Sequence, residues 1–94
     1  FTLKHRGATK RMLGDYKGAL EDLNKADTLR PNNSFILRIR GATKYELGNY
    51  IGALKDLNKS NELDPNDSFC LEWIAKVKSV KSSTIPVSFT VKLR

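Results

Sequence analysis

Displaced by 34 residues, this sequence falls onto itself. Residues 6–33, RGATKRMLGDYKGALEDLNKADTLRPNN, lie over residues 40–67, RGATKYELGNYIGALKDLNKSNELDPND, with eighteen identities in twenty-eight positions. All six glycines pair: Gly7 with Gly41, Gly14 with Gly48, Gly18 with Gly52. Pro31 pairs with Pro65 and Tyr16 with Tyr50. The register extends outward through Phe1, Phe35 and Phe69, and through Leu3, Leu37 and Leu71. A repeat of this period is one supersecondary unit, stacked on copies of itself to bury a core that no unit buries alone.

Each unit reads as two helices. A helical stretch from about Phe1 to Leu13 ends at Gly14, the residue that tolerates the left-handed conformation closing a helix. Asp15 then caps the next helix, as Asn49 does in the second unit. That helix carries Tyr16, Ala19, Leu20, Leu23, Ala26 and Leu29, an apolar stripe at three- and four-residue spacing. Pro31 terminates it, Asn32 and Asn33 make the turn, and Ser34 and Ser68 are placed to cap the helices that follow. Gly7 and Gly41 fall inside helices, where glycine costs about 1 kcal/mol relative to alanine. Close approach of a neighbouring helix is the simplest compensation.

This pattern resembles the tetratricopeptide repeat: 34 residues, helix–turn–helix, small and large residues at set places and a late proline. Gly14-Asp15-Tyr16, Gly48-Asn49-Tyr50, the pairs Ala19/Leu23 and Ala53/Leu57, Ala26 and Pro31/Pro65 carry the likeness, over residues 1–80. Departures are Leu3, Leu37 and Leu71 at the usual tryptophan position, and Arg6 and Arg40 where a large apolar residue precedes the glycine. Lys10 and Lys44 replace an aromatic, and Ser60 stands where the first unit has Ala26. The resemblance implies an all-α chain, a right-handed α-solenoid fragment of two helix–turn–helix units and a third, terminal helix. Residues 1–33 and 34–67 are the repeats, and 68–81 a partial repeat or capping helix with Ala75 in place of the glycine.

Residues 82–94 are expected to form an irregular, flexible tail. From Val87 they alternate Val87, Phe89, Val91, Leu93 against Ser88, Thr90, Lys92, Arg94, a strand-like period of two in a fold with no sheet. Folding back over the third helix and pairing with another chain as an edge strand are the alternatives. With fewer than three repeats, marginal stability or self-association through the open ends or the tail is expected. A first residue of Phe1 and not Met indicates a piece of a longer chain.

The net charge is +7, which suits an acidic partner. Residues 1–13, 34–47 and 68–81, the first helices, hold ten Lys or Arg against Glu46 and Glu72. Residues 15–30 and 49–64, the second helices, hold five basic against seven acidic residues. The positive excess therefore belongs to the first helices and the tail. In tetratricopeptide arrays those helices line a concave groove. Carried over by position, the groove consists of Phe1, Lys4, Ala8, Arg11 and Met12, then Phe35, Arg38, Ala42, Tyr45 and Glu46, then Phe69, Glu72 and Lys76. Arg6, Lys10, Arg40 and Lys44 lie off these positions and are read as solvated surface charge, as are Glu21 and Asp22 on the outer helix. Trp73 is read as a packed anchor.

The expected function is thus a protein-interaction scaffold whose basic groove accepts an acidic, partly apolar peptide. Relatives that clamp the acidic C-terminus of chaperones use lysine and asparagine on the first helix, asparagine on the next and basic residues on the third. Lys4 fits, but Ala8, Ile39, Phe69 and Trp73 occupy the other places, so that clamp is absent. RNA binding through the basic first helices is the rival, and a structural fragment of a longer array the third alternative. Enzymatic chemistry is not indicated: the one histidine, His5, sits between Lys4 and Arg6 with no orienting carboxylate in sequence. No phosphate-cradling loop, metal-ligand spacing or cofactor motif occurs. Cys70, the single cysteine, excludes an internal disulfide and fits a packed apolar role in a reducing, cytoplasmic or nuclear, compartment. No apolar run approaches the roughly 20 residues of a membrane span.

Overall fold

The backbone runs through α1 (Leu3–Met12), α2 (Tyr16–Leu29), α3 (Ser34–Glu46), α4 (Tyr50–Leu63) and α5 (Ser68–Leu93). This computed structural model describes residues 2–93, with side chains over residues 2–80; Phe1 lies outside the described residues. There are no strands among them.

Local chemistry sets the helix ends. Gly14 and Gly48 adopt φ of +87° and +85°, with open space around each, and turn the chain from the first helix to the second. Asp15 and Asn49 then cap as expected, accepting from the amides of Gly18 at 3.0 Å and Gly52 at 2.9 Å. The expected caps at Ser34 and Ser68 are displaced by one residue. Asn33 accepts from the Ile36 amide at 3.0 Å, and Asp67 accepts from the Phe69 amide at 3.1 Å. Asn and Asp are at least as effective as Ser at this position, so the serines become the first helical residues.

The interior glycines mark the close packing within each repeat. A Cβ on Gly7 would lie 2.7 Å from Leu23 Cγ, and one on Gly41 would lie 2.7 Å from Leu57 Cγ. The absent side chain therefore admits the leucine of the paired helix. Between repeats the buried residues form two clusters. Ala19, Leu23 and Ala26 of α2 meet Ile36 and Ile39 of α3. Ala42, Ala53 and Leu57 meet Cys70, Trp73, Ile74 and Val77 of α5. Ser60, the polar substitute for Ala26, is fully buried but donates to the Ser34 carbonyl at 2.9 Å. Cys70 is packed as expected, its thiol donating to the Leu57 carbonyl at 3.0 Å, and burial pushes its pKa up.

The end of the chain departs from expectation. α5 is bounded Ser68–Leu93, so the backbone over residues 82–93 is helical where an irregular tail was expected. A helix satisfies its amides internally, whereas a lone strand in an all-helical fold has no partner for them. The alternating side chains from Val87 onward, and any packing of theirs over the third helix, lie outside the described residues. Leu71 and Ala75 are exposed on α5, at positions whose counterparts in α1 and α3 face a second helix.

Candidate peptide-binding groove

The basic residues of the first helices divide into two sets by what they touch. One set points at the partner helix of its own repeat. Arg6 forks onto Asp22, Nε to Oδ2 at 2.8 Å and Nη2 to Oδ1 at 2.9 Å, with Lys10 Nζ 3.2 Å from the same carboxylate. Arg40 repeats the fork on Asp56 at 2.8 and 3.0 Å, with Lys44 at 3.0 Å. Arg40 also reaches back to α2, donating to Asp27 and Asn24 at 3.2 Å each. Fork geometry is the strong form of the Arg–carboxylate contact.

These contacts correct the expectation of solvated charge at Arg6, Lys10, Arg40, Lys44 and Asp22. Asp22 is buried, its side chain 2% exposed. Hydrogen bonding from Arg6 is the main cause that brings its pKa down to about 2, against the opposing effect of burial. The same bond raises the pKa of Arg6, and the bond that Arg40 donates to Asp56 raises that of Arg40. The signal was in the sequence: Arg and Asp sixteen residues apart recur in both repeats, as Arg6/Asp22 and Arg40/Asp56.

The second set lies on the expected groove positions, and aromatic rings hold it. Lys4 Nζ sits 5.6 Å from the Phe35 ring centre, and the Arg38 guanidinium 5.1 Å from the same ring. Arg38 is also 5.3 Å from Phe69, which it shares with Arg11 at 5.9 Å. Arg11 in turn is 5.5 Å from Trp73, and Lys76 Nζ 4.1 Å from that ring. Cations and rings thus alternate without a break: Lys4, Phe35, Arg38, Phe69, Arg11, Trp73, Lys76. The chain crosses α1, α3 and α5. Each contact is within the range of a cation–π attraction.

Within this set, Arg38 is paired with Asp67, while Lys4, Arg11 and Lys76 have no ion pair among the described residues. The Nε atoms of Arg11 and Arg38 are buried without a hydrogen-bond partner. Asp67 was not among the expected groove residues. Its repeat counterpart is Asn33, so exchange of Asn for Asp between units was the available signal.

The other expected positions separate. Ala8 and Phe35 pack against the first cluster, and Tyr45 and Phe69 against the second. Ala42 is fully enclosed in the second cluster and offers no groove surface, because α4 and α5 close over it. Met12 is 79% exposed and belongs to neither cluster. Glu46 is exposed and accepts from Tyr16 at 3.2 Å; Glu72 is exposed one turn before Lys76 and is not ion-paired to it. Trp73 is a packed anchor as read, edge-on to Tyr45 at 5.3 Å, but its ring also carries Arg11 and Lys76. Both roles fall to one residue.

Two solved structures are similar to this chain in fold. The first tetratricopeptide domain of Spaghetti (RPAP3), bound to the HSP90 peptide SRMEEVD, matches with a TM-score of 0.82 and 24% identity. The match covers 85% of this chain and 64% of that one. The UNC-45 chaperone, which has molecular features critical for binding and folding muscle myosin, matches with a TM-score of 0.81 and 25% identity. Here 97% of this chain is covered and 10% of that one. This is a tetratricopeptide-type helical-repeat fold. No protein-family model matches the chain, and no curated protein gives a significant match. In the candidate groove Ile39 is buried, and Phe69 and Trp73 are packed rings.

Proposed function

We propose that this chain is a protein-interaction scaffold whose basic concave face receives an acidic, partly apolar peptide segment of a partner protein. The carrying observation is the alternating run of cations and rings. Three of its four cations have no neutralising acid among the described residues, whereas the basic residues facing the second helices are paired. A guanidinium stacked on a ring keeps its terminal nitrogens directed at a planar anion, and the ring beside it supplies apolar surface. The solved complex of RPAP3 with an HSP90 peptide supports the peptide class of ligand. The acidity of the ligand is inferred from this chain's own charges.

Trp73 is the single tryptophan and lies within the run, so its fluorescence reports on ligand directly. A blocked acidic peptide with interspersed leucines, titrated at two salt concentrations, is expected to bind more weakly at high salt. Arg11→Ala is expected to weaken it about tenfold, the equivalent of 1.4 kcal/mol, and to flatten the salt dependence. An unchanged affinity in Arg11→Ala would remove the groove assignment. A parallel titration with single-stranded RNA separates the rival class: steep, salt-dependent RNA binding without peptide affinity would replace the peptide proposal.

A further inference from the structure

The four cations of the groove are not equivalent. Arg38 is neutralised by Asp67, which also caps α5 through the Phe69 amide. Lys4 is the repeat counterpart of Arg38, and Asn33, the counterpart of Asp67, caps α3 and carries no charge. A single Asn-to-Asp exchange between repeats therefore neutralises the second cation of the run and leaves the first, third and fourth charged. From Lys4 to Lys76 the pattern reads positive, neutral, positive, positive.

We propose that the groove selects its ligand by the spacing of acidic residues. Carboxylates sit at both ends, one on Lys4 and one between Arg11 and Lys76, with uncharged apolar residues between them over Phe35 and Phe69. This rests on the acidic-peptide function proposed above. A carboxylate placed at the centre meets the like charge of Asp67, and it gains Arg38 only by displacing a carboxylate already there. Such exchange discriminates by repulsion as well as by attraction. Arg11 differs, since it has no ion pair among the described residues and its guanidinium lies 5.9 Å from the Phe69 ring centre and 5.5 Å from that of Trp73. Lys4 and Arg11 are seven residues apart on α1, about 10.5 Å at the helical rise. A peptide in polyproline II conformation completes a turn in three residues and about 9 Å, which returns i and i+3 to one face, so the favoured ligand carries acids at positions i and i+3.

Two blocked peptides of identical composition test this against the whole chain. One has the order aspartate, leucine, leucine, aspartate; the other has leucine, aspartate, aspartate, leucine, within the same neutral flanks. The first is expected to bind about tenfold more tightly, the scale of one charge-assisted contact. Asp67→Asn keeps a capping side chain at the start of α5 and releases Arg38, so the second peptide gains and the preference shrinks to about threefold or less. Equal binding of the two peptides to the unaltered chain would overturn the spacing proposal alone. So would an unchanged preference in an Asp67→Asn variant whose helical circular dichroism is intact. Binding of neither peptide would instead overturn the acidic-peptide function on which the spacing rests.

Discussion

Asp56→Ala is expected to destabilise the fold about twice as much as Asp22→Ala, although the two carboxylates make nearly identical contacts. Each accepts a fork from an arginine and a third contact from a lysine, at 2.8, 2.9 and 3.2 Å for Asp22 and 2.8, 3.0 and 3.0 Å for Asp56. The difference lies in what is left behind. Arg6 and Lys10 are 51% and 31% exposed, so water takes over their donors once Asp22 is gone. Arg40 and Lys44 are 14% and 20% exposed, so their donors are stranded. Removing one partner of a buried pair costs about 3–5 kcal/mol. Arg40 keeps Asp27 and Asn24, which places Asp56→Ala near the lower end, at about 3 kcal/mol. Asp22→Ala loses charge-assisted hydrogen bonds that water partly replaces, about 1.5 kcal/mol.

Urea unfolding at neutral pH, followed by helical circular dichroism, measures both costs against the unaltered chain. Asp56→Asn retains shape and one acceptor oxygen and is expected to fall between the unaltered chain and Asp56→Ala. Equal costs for the two alanine variants, within about 0.5 kcal/mol, would refute the claim that exposure of the stranded cation sets the penalty. A larger cost for Asp22→Ala would refute it more firmly.

Further consequences are open to measurement. The Asp22 carboxyl, with its pKa lowered to about 2 from an ordinary 3.8, contributes stability that is full above about pH 4. That contribution is lost as pH falls through 2, because the unfolded chain takes up the proton first, and Asp22→Asn should flatten the decline measured by unfolding between pH 4 and 2. Gly41→Ala gains about 1 kcal/mol of helix propensity but drives a methyl group to 2.7 Å from Leu57 Cγ and 3.2 Å from the Ala53 carbonyl. Overpacking of up to about 3 kcal/mol outweighs the gain, so a net loss of about 1–2 kcal/mol is expected in urea. Gly48→Ala meets nothing within 4 Å and loses only its positive-φ freedom, about 1–2 kcal/mol. Cys70, buried with a raised pKa, should react with a thiol reagent only as fast as the chain opens, and rapid labelling of the folded protein would contradict its burial.

The fold was legible because its determinants are local and repeated. Asp15 and Asn49 cap within three residues of themselves, and Gly14 and Gly48 turn by virtue of a missing Cβ. The stripe from Tyr16 to Ala26 needs only helical periodicity to show its inward face, although Leu29, expected to continue it, is 72% exposed. The end of the chain was less legible, since the period-two alternation after Val87 carries no information on whether a strand partner exists. The candidate groove was half legible. Register with a known repeat places Arg11, Phe35, Arg38, Phe69 and Lys76 on one side. It does not show that Ala42 is enclosed, that Met12 stands clear, or that Trp73 bears two cations.

What the amino-acid order alone determined is the unit: 34 residues, two helices, a glycine inside the first helix where a neighbour approaches closely, and a basic excess on the first helices. Only the tertiary structure decided which of those charges are spent inside the molecule. Arg6 and Arg11 are five residues apart on the same helix and indistinguishable by composition, yet one is forked onto Asp22 and the other has no acid partner among the described residues. An ion pair depends on the few ångströms between two side chains brought together by packing. That distance is set by which face of each helix meets which neighbour, and helix stacking fixes it only after the sequence has made the helices.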